Sequence, residues 1–219
     1  MGTRPAAGGG RWVEVDPPRL ARWLAGFADR HGPYDATPGR PDALRLVAAD
    51  GALAECHPPP GAPAATADPH VFVAEAMKAR RIGLLLARKG GVAVGIAAGD
   101  ALEVSKVDSR YVQGRTAAGG WSQHRFARRR ENQARAAAAE GADIAVRLLV
   151  PAAARLAAVV TGGDRRAVDA ILADARLAPV AALRAERFLT VAEPRLAALE
   201  GAIRQARAVQ IRVVEPSAA

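Results

Sequence analysis

Ile82-Gly-Leu-Leu-Leu-Ala-Arg88, Lys89-Gly-Gly91, Val92-Ala-Val-Gly-Ile-Ala-Ala98 and Gly99-Asp100 are the run of residues on which the fold turns. The first segment is continuously apolar, the pattern of a strand covered on both faces. Glycine turns separate it from a second strand over 92–98 and a third over 102–112, so the run predicts an antiparallel meander. A long helix follows over about 122–150, with Ala134, Ala138, Gly141, Ala145 and Leu148 falling on one narrow stripe. Glycine weakens a helix interior by about 1 kcal/mol relative to alanine, so Gly141 is expected where the helix approaches the sheet closely.

Beyond Pro151 the pattern alternates. A strand over 156–161 leads to Gly162-Gly163-Asp164, a turn with an N-cap, and then to a helix with Val168, Ile171 and Leu172 inward. A strand over 187–191, a helix from Pro194 with Leu196, Leu199 and Ile203, and a last strand carrying Val209, Ile211 and Val213 complete the chain. Meander, long helix and βαβαβ-like alternation predict an α/β fold: an RNase H-like mixed sheet with flanking helices.

Upstream, Arg11-Trp-Val-Glu-Val15 alternates as a short strand, and Pro17-Pro18 open a helix with Leu20, Trp23, Leu24 and Phe27 on one face. Asp50-Gly51 joins strands over 43–49 and 52–56 as a hairpin. His57-Pro-Pro-Pro-Gly-Ala-Pro63 is a stiff spacer. The expected domains are therefore 1–65, a small α+β module ending in a Pro-rich linker, and 66–219, the main domain, which includes a short helix over 71–80.

Half of the 219 residues are apolar and 24% are charged, a globular composition. The net charge of +9 favours an anionic partner, nucleic acid first. The single cysteine, Cys56, excludes a disulfide framework and a cysteine-cluster metal site. His31, His57, His70 and His124 form no metal-ligand pair, so no metal and no cofactor are expected. The first ten residues lack the apolar core of a signal peptide, and the most apolar window, 144–160, is broken by Arg147, Pro151 and Arg155. A cytoplasmic protein without a membrane partner is the expectation.

No dinucleotide or P-loop fingerprint and no Gly-x-Ser-x-Gly elbow occurs. Cys56 and His57 are adjacent on a strand and point to opposite faces, a poor thiol–imidazole pair. Asp100, Glu103 and Asp108 flank one hairpin, but Glu103 and Asp108 lie an odd number of positions apart, on opposite faces of a regular strand. A metal-dependent nuclease is accordingly disfavoured.

The remaining chemistry lies in 106–135, where eight Lys/Arg face two acids, a local charge of +6. Gly119 and Gly120 let the backbone approach a crowded substrate. Gln123 is a neutral amide able to orient water, and its own backbone N–H can stabilise developing negative charge. Arg125, Arg128 and Arg129 share a helix face. With Lys106, Arg110, Arg115, His124 and Arg130 they can meet phosphates, and Trp121 can stack on a base. These residues alone leave open ester hydrolysis, RNA cleavage near a tRNA 3′ end, or RNA binding without catalysis.

Taken together, Lys106-Val-Asp-Ser-Arg110, Gly119-Gly120-Trp121-Ser122-Gln123 and Arg128-Arg-Arg-Glu-Asn-Gln133 on a long helix resemble the actinobacterial branch of the VLRF family over about 82–214. Its members are release-factor-like peptidyl-tRNA hydrolases related to the middle domain of eukaryotic and archaeal class I release factors. The resemblance implies a loop inserted into the peptidyl transferase centre of the large subunit, with rRNA and peptidyl-tRNA as partners and no nucleotide cofactor. It implies that Gln123 positions water, that Gly119 and Gly120 shape the tip, and that the arginines contact RNA during rescue of stalled ribosomes. Release factors carry Gly-Gly-Gln uninterrupted, whereas Trp121 and Ser122 intervene here.

Overall fold

The computed structural model describes residues 3–39, 42–88, 91–109 and 123–216; the side chains of Ser109 and of 123–130 lie outside that description. The chain divides into two compact units, one formed by Met1–Ala79 with Arg204–Ala219 and the other by Arg80–Ile203.

The first unit opens with β1 (Thr3–Pro5) and β2 (Arg11–Val15), followed by a 3-10 turn over Pro17–Arg19 and helix α1 (Leu20–His31). Strands β3 (Tyr34–Pro38), β4 (Leu44–Ala48) and β5 (Leu53–His57) and helix α2 (Pro69–Met77) come next. The second unit contributes β6 (Arg81–Arg88), β7 (Gly91–Ala98), β8 (Ala101–Ser109), the long helix α3 (Gln123–Leu149), β9 (Ala158–Gly163), α4 (Arg165–Leu172), α5 (Ala178–Ala181) and β10 (Arg184–Leu189). Helix α6 (Leu196–Arg207) and β11 (Val209–Val214) end the chain.

In the first unit six antiparallel strands run in the order β1-β2-β11-β5-β4-β3. Alternation decides its layering: Val13 and Val15, Leu44 and Leu46, Ala54 and Cys56, and Val209, Ile211 and Val213 are buried while the strand residues between them are not. Leu20, Leu24 and Phe27 of α1 and Phe72 and Ala76 of α2 complete that core. Two expectations change here. The Pro-rich stretch does not end the module, because Phe72 and Ala76 draw α2 into the same core, with Asp68 capping α2 by accepting from the His70 and Val71 amides at 2.7 and 3.3 Å. The last strand joins this sheet between β2 and β5 rather than the sheet of the main domain. The division therefore falls at Ala79 and again at Ile203, away from the expected 65/66 boundary. Strands β1 and β3 have no counterpart among the strands expected from the sequence.

In the second unit the order is β10-β9-β6-β7-β8. The meander β6-β7-β8 is antiparallel, and β9 and β10 add in parallel beside β6. As its uninterrupted apolar sequence requires, β6 is central and buried on both faces. One face packs against α3 and α4 through Leu85, Val92, Val94, Ala145, Leu149 and Val168. Gly163 takes φ +98° at the end of β9, and the next residue, Asp164, caps α4 by accepting from the amides of Arg166 and Ala167 at 2.9 and 3.4 Å.

Candidate functional site

Strand β8 at one sheet edge and helix α3 bracket the basic segment. Opposite Ile96 and Ala97 the register of β8 shifts, so that Val104 and Leu102 are the paired residues and Glu103 is the extra one. Such a bulge interrupts side-chain alternation, and Glu103 and Val104 are both exposed. The parity argument applied to Glu103 and Asp108 thus rests on a regularity that β8 lacks. Glu103 is instead held by Arg81, whose Nε donates to its carboxylate at 2.7 Å. Asp108 is half-buried and lines a groove, and Lys106 is exposed on β8. Among the described residues no group of three metal-ligating side chains occurs.

Helix α3 begins at Gln123. Gly119, Gly120, Trp121, Arg110 and Arg115 lie outside the described residues, and so do the side chains of Gln123, His124, Arg125, Arg128, Arg129 and Arg130. The backbone of 123–130 is helical, which places Gln123 in the first turn and the arginines in the first two turns. The opening amides of a helix have no partner within it.

Among the described side chains of the helix, burial is concentrated at its far end. Gly141, Ala142, Ile144, Ala145 and Leu149 are buried, whereas every residue of 131–136 is exposed, Ala134 included. A Cβ on Gly141 would stand 2.7 Å from Ile171 Cδ1 and 3.6 Å from Val92 Cγ2. The glycine therefore admits helix α4 first and the sheet second. Glu131 and Arg135 pair along the exposed segment at 2.7 Å, one turn apart. Nearer the anchor, Arg176 bridges Asp143 of α3 at 2.8 Å and Asp174 at 2.6 Å. Hydrogen bonds from the Arg176 guanidinium and from its backbone N–H, the latter at 2.9 Å, hold the Asp174 carboxyl at about 2, below the ordinary carboxylate range.

Between α3, α4 and the end of β8 runs a groove of about 260 Å³, with Ala134, Ala138 and Ala170 as small walls and Arg88, Asp108 and Arg166 at its rim. Arg88 is fixed by donating to the carbonyls of Val191 and Ala192 at 3.1 and 2.8 Å. Sequence reading assigned no role to Arg88 or Arg166; the available signal was their position beside the glycine turns that close β6 and β9. Cys56 is fully buried, and desolvation pushes its thiol far above the ordinary range, which removes it as a nucleophile.

Charge is divided unevenly. The second unit carries twenty Lys/Arg against twelve acids, a formal +8, and the first carries eleven against ten, a formal +1. Most of the excess falls within 106–135. Among the described residues no helix is long and apolar enough to cross a membrane.

Comparison with known proteins matches residues 80–212 to the family model described as Actinobacteria/chloroflexi VLRF1 release factor, acVLRF1. No curated protein matches the chain. Among solved structures it is similar to the archaeal translation termination factor aRF1, at 20% identity and a TM-score of 0.43, over 57% of this chain and 34% of that one. It is also similar to a chain described as "Archaeal protein", at 15% identity and a TM-score of 0.38, over 87% of this chain and 70% of that one. The chain thus spans about a third of the length of the termination factor (34%). The matched span takes in the whole of β8, residues 110–122 and α3, and the chain belongs to the Actinobacteria/chloroflexi VLRF1 release factor family.

Proposed function

We propose that the chain is a peptidyl-tRNA hydrolase that frees nascent peptides from tRNA on stalled ribosomes or large subunits. The observation that carries this reading is the family match, whose bounds enclose the meander, the glycine–glutamine segment and α3. The order β10-β9-β6-β7-β8, with its antiparallel meander and two parallel additions, supports an RNase H-like description of the second unit. A rigid sheet edge on one side and a 27-residue helix on the other suit a loop that must be held far from the core.

In this reading water attacks the ester carbonyl that joins the peptide to the terminal ribose of tRNA. A carbon–oxygen bond forms to water, the bond to the ribose oxygen breaks, and the water proton passes to that leaving oxygen. Gln123 orients the water through its neutral amide, and an unspent backbone N–H near the start of α3 stabilises the tetrahedral oxyanion. Gly119 and Gly120 shape the tip so that backbone can enter the peptidyl transferase centre. Lys106, Arg110, Arg115, Trp121, His124, Arg125, Arg128, Arg129 and Arg130 contact rRNA and tRNA, and the local +6 charge supplies the attraction. No metal and no nucleotide enter the reaction.

Large subunits carrying labelled peptidyl-tRNA test the proposal. Wild type is expected to release the peptide and leave an intact CCA terminus on the tRNA. A truncated terminus would identify a nuclease instead, and salt-sensitive binding with no product would identify a non-catalytic factor.

A further inference from the structure

A second concave surface lies wholly within the first unit, a groove of about 770 Å³ along α1. The 3-10 turn and α1 present Arg19, Arg22, Trp23, Gly26 and Arg30 to it, at spacings of three, four and seven that define one face of a helix. Over these eleven positions the helix rises roughly 16 Å. Arg19, Arg22 and Arg30 are exposed, and none of their guanidinium groups makes a hydrogen bond or ion pair among the described residues. The opposite wall is β2, where Arg11 is paired with Glu215 at 2.5 Å and Glu14 accepts from Gln210 at 3.4 Å.

General basicity does not explain the arginine line, because this unit carries a formal charge of only +1. Nor does packing explain the glycine in its middle. Glycine weakens a helix interior, yet a Cβ on Gly26 would meet only the Arg30 guanidinium, at an ordinary 3.6 Å. Both features make sense for a ligand that lies against the helix and carries repeated negative charge. Trp23 is half-buried, stacked on Phe27 with ring centroids 5.6 Å apart, and the rest of its surface lines the groove. An aromatic face among guanidinium groups favours a polynucleotide over an acidic peptide, and a concave surface is poorly matched to a flat membrane.

We infer that the α1 groove binds the sugar–phosphate backbone of a single-stranded polynucleotide, with Arg19, Arg22 and Arg30 on successive phosphates and Trp23 beside a base. RNA is the chosen source over DNA, a choice that rests on the function proposed for the second unit. The test uses the full chain as wild type, as R19Q/R22Q/R30Q and as R19K/R22K/R30K. Anisotropy with 16-nucleotide oligouridine and oligothymidine probes is followed from 50 to 200 mM KCl. Loss of three single-strand phosphate contacts removes a salt slope of about two, so wild type should weaken roughly twentyfold more than the glutamine variant across that range. The lysine variant, which keeps the charge, should follow wild type.

Parallel salt plots for wild type and the glutamine variant, with unchanged circular dichroism, would overturn the inference. So would binding of polyglutamate or phosphatidylserine vesicles that needs the same three arginines while the oligonucleotides do not. Binding of oligothymidine alone would overturn the choice of RNA. Should the glutamine variant fail to fold, hydrogen exchange on wild type decides: oligouridine must protect the α1 amides, and absence of protection sinks the proposal. Peptide release is scored separately with Gln123→Ala, so failure of the hydrolase reading leaves this result standing, and the reverse.

Discussion

Replacing Leu149 by alanine probes how α3 is held. The helix has 27 residues, about 40 Å at 1.5 Å per residue, yet among its described side chains burial is concentrated in 141–149. Leu149 is fully buried, and its Cδ2 would lie 3.3 Å from a Cβ on Gly83, beside Leu156 Cδ1 at 3.1 Å and Val159 Cγ2 at 3.2 Å. Gly83 is thus the floor on which three side chains meet, and the following 3-10 turn over Val150–Arg155 limits collapse into the space left behind. Truncation then loses both transfer energy and cavity-lining contacts, about 3 kcal/mol. For a unit of this size that lowers the melting temperature by roughly 10 °C. Ala136→Gln, on the exposed part of the same helix, should cost less than about 0.5 kcal/mol. Urea-dependent hydrogen exchange at the amides of 84–86 reports the second unit alone. A loss below about 1 kcal/mol for Leu149→Ala, or equal losses for the two variants, would refute an anchor confined to the last turns.

Gly163→Ala should destabilise the second unit by about 3 kcal/mol or more. The residue holds φ +98° and its Cβ would stand 2.2 Å from the Ala87 carbonyl oxygen, a backbone atom that cannot step aside; thermal melts of the variant check this. Asp174→Asn tests the Arg176 bridge through pH. Because the folded-state carboxyl titrates at about 2, below its ordinary value near 3.9, its stabilisation is complete above about pH 4 and is lost as pH falls towards 2. The urea midpoints of wild type and Asp174→Asn should therefore differ at pH 5 to 7 and converge on acidification; a constant difference would contradict the assignment.

Much of the second unit was legible because its local signals agree. Uninterrupted apolar residues made β6 central, glycine turns bounded β7, and Asp164 marked the start of α4. The first unit was less legible. Tyr34-Asp-Ala-Thr-Pro38 is an edge strand ending in proline, and its alternation is faint because only Tyr34 and Ala36 turn to the core and both stay half-buried. Val209, Ile211 and Val213 announced a strand but not its sheet, since alternation fixes a face and says nothing about which neighbour pairs with it. The bulge at Glu103 was hidden because a register shift depends on the partner strand. On α1 the apolar periodicity drew attention to Leu20, Leu24 and Phe27, while the complementary spacing of Arg19, Arg22 and Arg30 gained meaning only beside β2. For the glycine–glutamine segment the residue types and spacing were informative in the sequence, and the described structure adds the strand and helix that flank it.

Single-turnover release of labelled peptide from purified large subunits bearing peptidyl-tRNA, compared for wild type and Gln123→Ala, tests the central claim most directly. Loss of a positioned amide at the reacting centre should slow release by about 10²–10³-fold while leaving subunit binding unchanged. Release by Gln123→Ala at the wild-type rate would contradict the account.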